Sequence, residues 1–100
     1  MIILNTTFFA EEAIGAELLR WLRDVYVKAV EAAGIFTAVE LVRVLEPLEP
    51  GAVSFACRCE CDSLDVARSW HDSSAVLVKD EMMRLWGQHA LWFTSYMERL

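Results

Sequence analysis

Residues 35–61 read IFTAVELVRVLEPLEPGAVSFACRCEC, and this stretch decides the fold. Two segments, 35–45 and 52–61, are rich in the β-branched, aromatic and other apolar residues that favour strands. The linker 46–51 between them carries both prolines of the chain and a glycine, which neither continue a strand ladder nor build a helix. The stretch therefore predicts two neighbouring strands joined as a hairpin.

The residues before this hairpin predict one strand and one helix. Residues 2–9 form a short apolar run without Gly or Pro, which favours a strand at this length. From Ile14 to Ala33, apolar residues recur at helical spacing, and charged residues of alternating sign occupy the opposite face. Because Gly34 follows the last periodic residue, we expect the helix to end there in a left-handed cap.

The residues after the hairpin repeat the order of helix and strand, with 89–98 as the last strand. We expect Asp62 or Ser63 to cap the second helix and Gly87 to end it. Asp and Ser side chains compete for backbone hydrogen bonds, so the run 71–74 (HDSS) predicts a kink or a break. The helical period predicts an inward stripe of Leu64, Ala67, His71, Ala75, Val78, Met82 and Leu85.

The order βαββαβ predicts an α+β, ferredoxin-like fold in a single domain that spans residues 1–100. Such a domain has a four-stranded antiparallel sheet with both helices on one face. The strands are apolar on both faces, although two helices can cover only one of them. The other face needs a cover from outside the chain, and we expect a second copy of the chain there, in a homodimer.

The composition excludes several classes of function. Apolar residues make up 56% of the chain, above the roughly 45–50% of ordinary soluble domains, and a subunit interface would bury the excess. No stretch reaches the roughly 18 uninterrupted apolar residues of a membrane span, and residues 1–10 lack the basic flank of a secretion signal. The net charge of −6, without a Lys/Arg run, argues against nucleic-acid binding. We therefore expect a cytoplasmic protein that binds neither membrane nor nucleic acid.

Three short segments carry a resemblance to a known group of proteins. They are MIILN (1–5), GIF (34–36) after the long first helix, and SLDVARSW (63–70). With the order of elements, they resemble small bacterial proteins of the dimeric α+β barrel superfamily, in particular a family with no assigned function. The superfamily includes antibiotic-biosynthesis-type monooxygenases, haem-degrading monooxygenases, isomerases and ligand-binding modules. The resemblance thus implies pairing into a dimeric α+β barrel more than it implies a reaction.

The resemblance also bears on cofactors. Haem-degrading members place an Asn on the first strand, a Trp on the second helix and a haem-ligating His further along that helix. Asn5 and Trp70 match the first two positions, but the ligand region around Lys79 and Asp80 contains no His. We therefore expect no haem, and no other cofactor is predicted.

Three cysteines alternate along the second strand of the hairpin. Cys57, Cys59 and Cys61 should project from one face, with neighbouring α-carbons roughly 6–7 Å apart. Adjacent thiols do not readily form a disulfide at this separation, and no CxxC or nearby His completes a tetrahedral site. We interpret them as core residues beneath the helices, and no metal site is predicted.

His71 and Asn5 are the candidate catalytic residues. His71 lies on the inward stripe at the presumed kink, where an imidazole could act as acid or base near neutral pH. Asn5 is a polar side chain in an apolar strand, so it needs a partner, either a ligand or a protein group. For both residues a structural hydrogen bond is the alternative. A cavity bounded by Asn5, Trp70 and His71 would distinguish a binding protein or an enzyme from a purely structural module.

Trp70, Trp21 and Arg43 are the candidate ligand-binding residues. Indole rings commonly line pockets for flat apolar molecules, and core packing is the alternative for both tryptophans. Arg43 lies in a strand, where a cation must meet an anion or solvent. An ion pair with Glu40, Glu60 or the partner chain is the alternative to a bound anion.

No known catalytic motif is present, since the chain has no Gly-rich phosphate loop, GxSxG, HExxH or acidic metal cluster. The leading hypothesis is a homodimer that binds a small apolar or aromatic molecule between sheet and helices. A cofactor-independent enzyme resembling the monooxygenases is one alternative. A purely structural or interaction module is the other.

Overall fold

The computed structural model describes all 100 residues and contains one four-stranded antiparallel sheet. The strands are β1 (Ile2–Glu11), β2 (Thr37–Arg43), β3 (Ala52–Cys61) and β4 (Ala90–Glu98). Their order in the sheet is β2-β3-β1-β4, so β1 and β3 are central and β2 and β4 form the edges. On β1, Thr6 lies opposite Cys57 of β3 and Thr94 of β4.

Two helical regions pack on one face of this sheet. The first consists of a 3₁₀ turn (Glu12–Ile14), α1 (Gly15–Trp21), a π-helical turn (Leu22–Tyr26) and α2 (Val27–Ala32). The second consists of α3 (Leu64–Asp72), α4 (Ser74–Trp86) and a 3₁₀ turn (Gly87–His89). The predicted ferredoxin-like βαββαβ arrangement is thus confirmed. No helix combines the length and the apolar character needed to cross a bilayer.

The predicted cap and break of the second helical region are present. The Ser63 hydroxyl accepts a hydrogen bond from the Val66 amide over 3.2 Å, as expected of a helix N-cap. Ser73 separates α3 from α4 with φ −121° and ψ −84°, and its hydroxyl donates to the Ser69 carbonyl over 2.6 Å. A side-chain hydrogen bond therefore replaces helical continuity at the break.

Two elements differ from the sequence-based prediction. Strand β2 is shorter than residues 35–45, and it is irregular: Ala38 has a positive φ of 51°, and the pairing with β3 shifts register between Thr37 and Glu40. The first helix is interrupted by the wide π turn, which buries Tyr26. The Tyr26 hydroxyl donates to Thr6 on the sheet over 3.3 Å. A local period of apolar residues does not indicate either irregularity.

The two faces of the sheet have different surroundings. The helix side is buried and carries Leu4, Thr6, Phe8, Phe55, Cys57 and Cys59. The open face carries Ile3, Asn5, Thr7, Phe9, Val42, Ala56, Leu91, Phe93 and Met97. On it, Leu91 and Phe93 remain 55% and 50% exposed, and the Phe93 ring stacks on Phe9 at 5.5 Å. The chain thus leaves one apolar sheet face uncovered, as its pattern predicts.

The residues on the inner side of α4 differ in part from those predicted. Ala75 and Met82 are fully buried, but the predicted Leu85 is wrong, because its side chain is 54% exposed. Lys79 is buried one turn after Ala75, in the place assigned to Val78. The buried positions of α4 are therefore Ala75, Lys79 and Met82, at spacings of four and three residues, and the stripe was misplaced only at Val78 and Leu85.

Candidate functional site between α4 and β4

A connected set of polar side chains crosses the space between the second helical region and the sheet. Lys79 Nζ donates to His71 Nε2 over 3.1 Å and to Thr94 Oγ1 over 3.2 Å. Thr94 is hydrogen-bonded at 3.0 Å to Thr6, which also accepts from the Tyr26 hydroxyl. The set therefore joins α3, α4, β4, β1 and the π turn.

Asp72 determines which nitrogen of the His71 ring carries hydrogen. Asp72 Oδ1 lies 3.1 Å from His71 Nδ1. Because a carboxylate only accepts, Nδ1 donates to it, and Nε2 of the neutral ring is left to accept from Lys79. The His71 side chain is 28% exposed, so protein does not enclose it fully. The imidazole can therefore contact solvent or a molecule beside it.

A cavity of about 220 Å³ lies beside this set. It is lined by His71, Val76, Lys79, Asp80 and Trp92. The Lys79 ammonium is 5.6 Å from the centre of the Trp92 ring, close enough for a cation–π contact. The cavity therefore has an indole and a valine for apolar contacts, with a charged group and an imidazole beside them.

Lys79 is the only charged residue that the fold buries, with 4% of its surface exposed. No carboxylate lies within 4.0 Å of its ammonium group, since every ion pair of the chain involves other residues. Burial lowers the pKa of Lys79 to about 8, because removal from water disfavours the charged form. The side chain is thus a cation at neutral pH that can lose its proton in mildly alkaline solution.

Sequence reasoning did not identify Lys79 as a site residue. The predicted inward stripe contains Val78 and not Lys79. The signal that could have found it is its spacing, four residues after Ala75 and three before Met82, on one helical face. A charged residue at an inward position is a candidate for function.

Asn5 and His71 do not share a site. The Asn5 side chain lies on the open face, where its amide donates to Thr7 Oγ1 over 3.3 Å. Its neighbour Thr6 faces the helices, because successive side chains of a strand point to opposite sides. The expected cavity bounded by Asn5, Trp70 and His71 is therefore absent, and the sheet separates the two candidate catalytic residues.

The two candidate tryptophans pack within the core. Trp70 is buried and contacts Phe36 edge-on, with ring centres 5.2 Å apart. Trp21 meets Trp86 edge-on at 6.0 Å, and its indole N–H is buried without a hydrogen-bond partner. Neither ring lines the cavity beside Lys79. The tryptophan that does so is Trp92.

Arg43 lies at the opposite edge of the sheet from the cavity. Its guanidinium is 5.0 Å from the centre of the Phe55 ring, and it lines an open groove of about 240 Å³ with Arg23. Arg43 forms neither of the two ion pairs given as alternatives, with Glu40 or with Glu60. Those carboxylates contact Arg58 at 3.5 Å and Arg99 at 3.1 Å instead.

The three cysteines are free and buried on the helix side of β3. Burial raises the pKa of both Cys57 and Cys59 to about 12. Since the thiolate is the reactive and metal-binding form, these thiols are poorly suited to nucleophilic chemistry near neutral pH.

Comparison with known proteins places the chain in a family. The model of a domain of unknown function, DUF4286, matches residues 1–100. The chain belongs to the DUF4286 family. No curated protein matches the sequence.

Several solved structures resemble this DUF4286 chain in fold. A candidate antibiotic biosynthesis monooxygenase from Deinococcus radiodurans is 17% identical with a TM-score of 0.74, and the match covers 100% of this chain and 93% of that one. HapK from Hahella chejuensis is 9% identical with a TM-score of 0.69, with coverages of 100% and 93%. A dimeric ferredoxin-like protein from an uncultured marine organism is 12% identical with a TM-score of 0.58, with coverages of 100% and 99%. At such low identities the likeness extends to the fold alone.

Proposed function

We propose that the protein is a homodimer that binds a small aromatic molecule in the cavity between α4 and β4. The observation that carries this proposal is the cavity itself, with Trp92 on one side and the paired His71 and Lys79 on another. Ligand sites commonly combine apolar walls with a few placed polar groups. Among the open grooves of the chain, none other borders a buried charged side chain.

The dimeric part of the proposal is supported by the open face of the sheet. Phe9, Leu91, Phe93 and Met97 form a contiguous exposed apolar surface that the chain does not cover. A second copy meeting it face to face would form the dimeric α+β barrel. Two solved neighbours are described as dimeric ferredoxin-like proteins. The cavity lies on the opposite side of the sheet, so dimerisation leaves it accessible.

Blocking the cavity tests the binding function. Val76 lines the cavity and is partly exposed, so Val76→Trp would fill its mouth with an indole. The adjacent Leu77 is more exposed and does not line the cavity, which makes Leu77→Trp the matched control. In an NMR screen of aromatic fragments, we expect hits that shift the Trp92 indole signal, disappear in Val76→Trp and persist in Leu77→Trp. Hits unaffected by Val76→Trp, or no hits, would overturn the proposal.

A cofactor-independent, monooxygenase-like enzyme is the second candidate. It is favoured by the imidazole of His71 beside the cavity, whose Nε2 could take the proton of an aromatic hydroxyl in place of its hydrogen bond from Lys79. Oxygen consumption with phenolic substrates tests it. Activity lost in His71→Ala and kept in His89→Ala would support this candidate, since His89 bonds the distant Glu11 at the surface. No oxygen uptake by the wild type would leave binding as the function. A purely structural module would bind no fragment.

A further inference from the structure

We propose that the ligand of the α4–β4 cavity is a planar ring compound with one ionised oxygen group, a phenolate or a carboxylate, for which Lys79 supplies the counter-charge. This inference rests on the proposed binding function and specifies the class of molecule. It starts from a buried ammonium group with no carboxylate within 4.0 Å. A buried charge is expensive unless an opposite charge compensates it, so this position favours an anion from outside the chain.

The hydrogen bonds of Lys79 leave room for that anion. A lysine ammonium has three N–H donors, and the protein provides acceptors for two of them, His71 Nε2 and Thr94 Oγ1. Both acceptors are electrically neutral. Each has a further hydrogen-bond partner, since His71 bonds Asp72 and Thr94 bonds Thr6. The side chain is thus positioned without being neutralised, and one donor remains for a ligand oxygen.

The size and walls of the cavity fit a single substituted ring. A cavity of roughly 150 Å³ is enough to hold benzene, and this one is about 220 Å³. The Trp92 indole offers an aromatic surface, and Val76 gives a second apolar contact. An oxygen on the ring could reach the ammonium while the ring contacts the indole, since Lys79 and Trp92 line the same space.

The other charged or titratable groups around the cavity are consistent with an anionic ligand. Asp72 and Asp80 are exposed, so water and salt screen their repulsion. Arg68 lies 5.8 Å from the centre of the Tyr96 ring, and that ring is 6.0 Å from the His71 ring. Burial raises the pKa of Tyr96, with a further contribution from Asp72, so its hydroxyl stays neutral and supplies no counter-charge for Lys79.

Calorimetric titration with three ring probes tests the ligand class. The probes are 4-nitrophenol at a pH where it is ionised, benzoate, and the neutral nitrobenzene. We expect at least one anionic probe to bind about tenfold or more tightly than nitrobenzene. A tenfold difference in affinity corresponds to only about 1.4 kcal/mol of binding free energy. The visible absorption of bound 4-nitrophenol reports whether it is held as the phenolate. Preference for one anionic probe distinguishes a phenolate site from a carboxylate site.

Two lysine variants assign the preference to Lys79. Lys79→Met should abolish the advantage of the anionic probes over nitrobenzene. Lys28→Met, which removes the other lysine at an exposed position, should leave all three affinities unchanged. If Lys79→Met does not fold, Thr94→Val removes one acceptor of the ammonium, and the anion preference should fall several-fold.

The outcomes separate this inference from the proposed function. Equal binding of nitrobenzene and both anions, blocked by Val76→Trp, would overturn the anion inference and support a neutral aromatic ligand. An anion preference that survives Lys79→Met would also overturn it. Failure of all three probes and of the fragment screen would overturn both proposals.

Discussion

At the scale of single residues, Lys79 combines two properties that stability alone does not favour. It is buried, and it is charged at neutral pH with only neutral hydrogen-bond partners. Replacing buried charges by apolar residues is often neutral or stabilising, so a fold under selection for stability has little reason to keep this one. Functional sites commonly retain residues that lower the stability of the fold, because activity requires them.

The first residue-scale prediction concerns pH. Burial lowers the pKa of Lys79 from 10.5 to about 8, so between these values the unfolded chain binds a proton that the folded chain does not. Raising the pH therefore favours the folded state. From pH 7 to pH 10, we expect the free energy of unfolding of the wild type to rise by about 2 kcal/mol relative to Lys79→Met, measured by urea denaturation.

The comparison with Lys79→Met isolates this effect. Cys57 and Cys59 have raised pKa values and act in the opposite direction, because the folded state keeps thiol protons that the unfolded chain loses as the pH rises above 9. Both proteins contain these cysteines, so their contribution cancels. Wild type and Lys28→Met should show parallel pH profiles. Parallel profiles of wild type and Lys79→Met would show that Lys79 is solvated.

At the scale of elements, the interruption between α3 and α4 positions the site. His71 lies in the last turn of α3, and Lys79 lies in α4 beyond the break. In a straight helix, residues eight apart are separated by about 12 Å along the axis. The bend at Ser73 brings the two side chains to 3.1 Å across the inner side of the break.

The start of α3 provides the element-scale prediction. Replacing Ser63 by Ala removes the hydroxyl that accepts from the Val66 amide, and loss of such a cap lowers the free energy of unfolding by about 1 kcal/mol. Chemical denaturation measures this loss. We expect a lower midpoint and an unchanged dependence of the free energy of unfolding on denaturant concentration. Ser69→Ala is the matched control, because the Ser69 hydroxyl is exposed in the same helix and makes no side-chain hydrogen bond. Equal stabilities of the two variants would contradict the cap.

At the scale of the whole molecule, the two faces of the sheet have different roles. The helix side contains the core and the cavity, whereas the open side presents an apolar surface to solvent. Such a surface on a small chain marks an interaction site. A face-to-face pairing of two sheets would bury area in or above the range of about 1,200–2,000 Å² that stable complexes use.

The whole-molecule prediction is that Phe93→Glu converts the dimer to a monomer. A carboxylate within the apolar face would be buried unpaired in the dimer, which is strongly unfavourable. Light scattering at micromolar concentration should give twice the chain mass for the wild type and the chain mass for the variant. Leu77→Glu, on the exposed outer side of α4, should remain dimeric. A monomeric wild type, or a dimeric Phe93→Glu, would exclude this interface.

The sequence by itself determined the features that depend on near neighbours. The prolines and glycine of 46–51 separate β2 from β3, alternation along β3 places its cysteines on one face, and the Ser63 hydroxyl caps the helix that follows. These follow from period and local hydrogen bonding, which the order of residues contains. The same local pattern predicted that one sheet face would lack a cover.

Only the tertiary structure decided the composition of the site. The separation of Asn5 from His71 depends on which side of the sheet the helices occupy. The burial of Lys79 depends on which side of α4 packs against the sheet. The contact with Thr94 depends on the register of β4, 15 residues away along the chain. These are relations between distant segments, set by the packing of the whole core, and the hydrophobic period within one segment does not contain them.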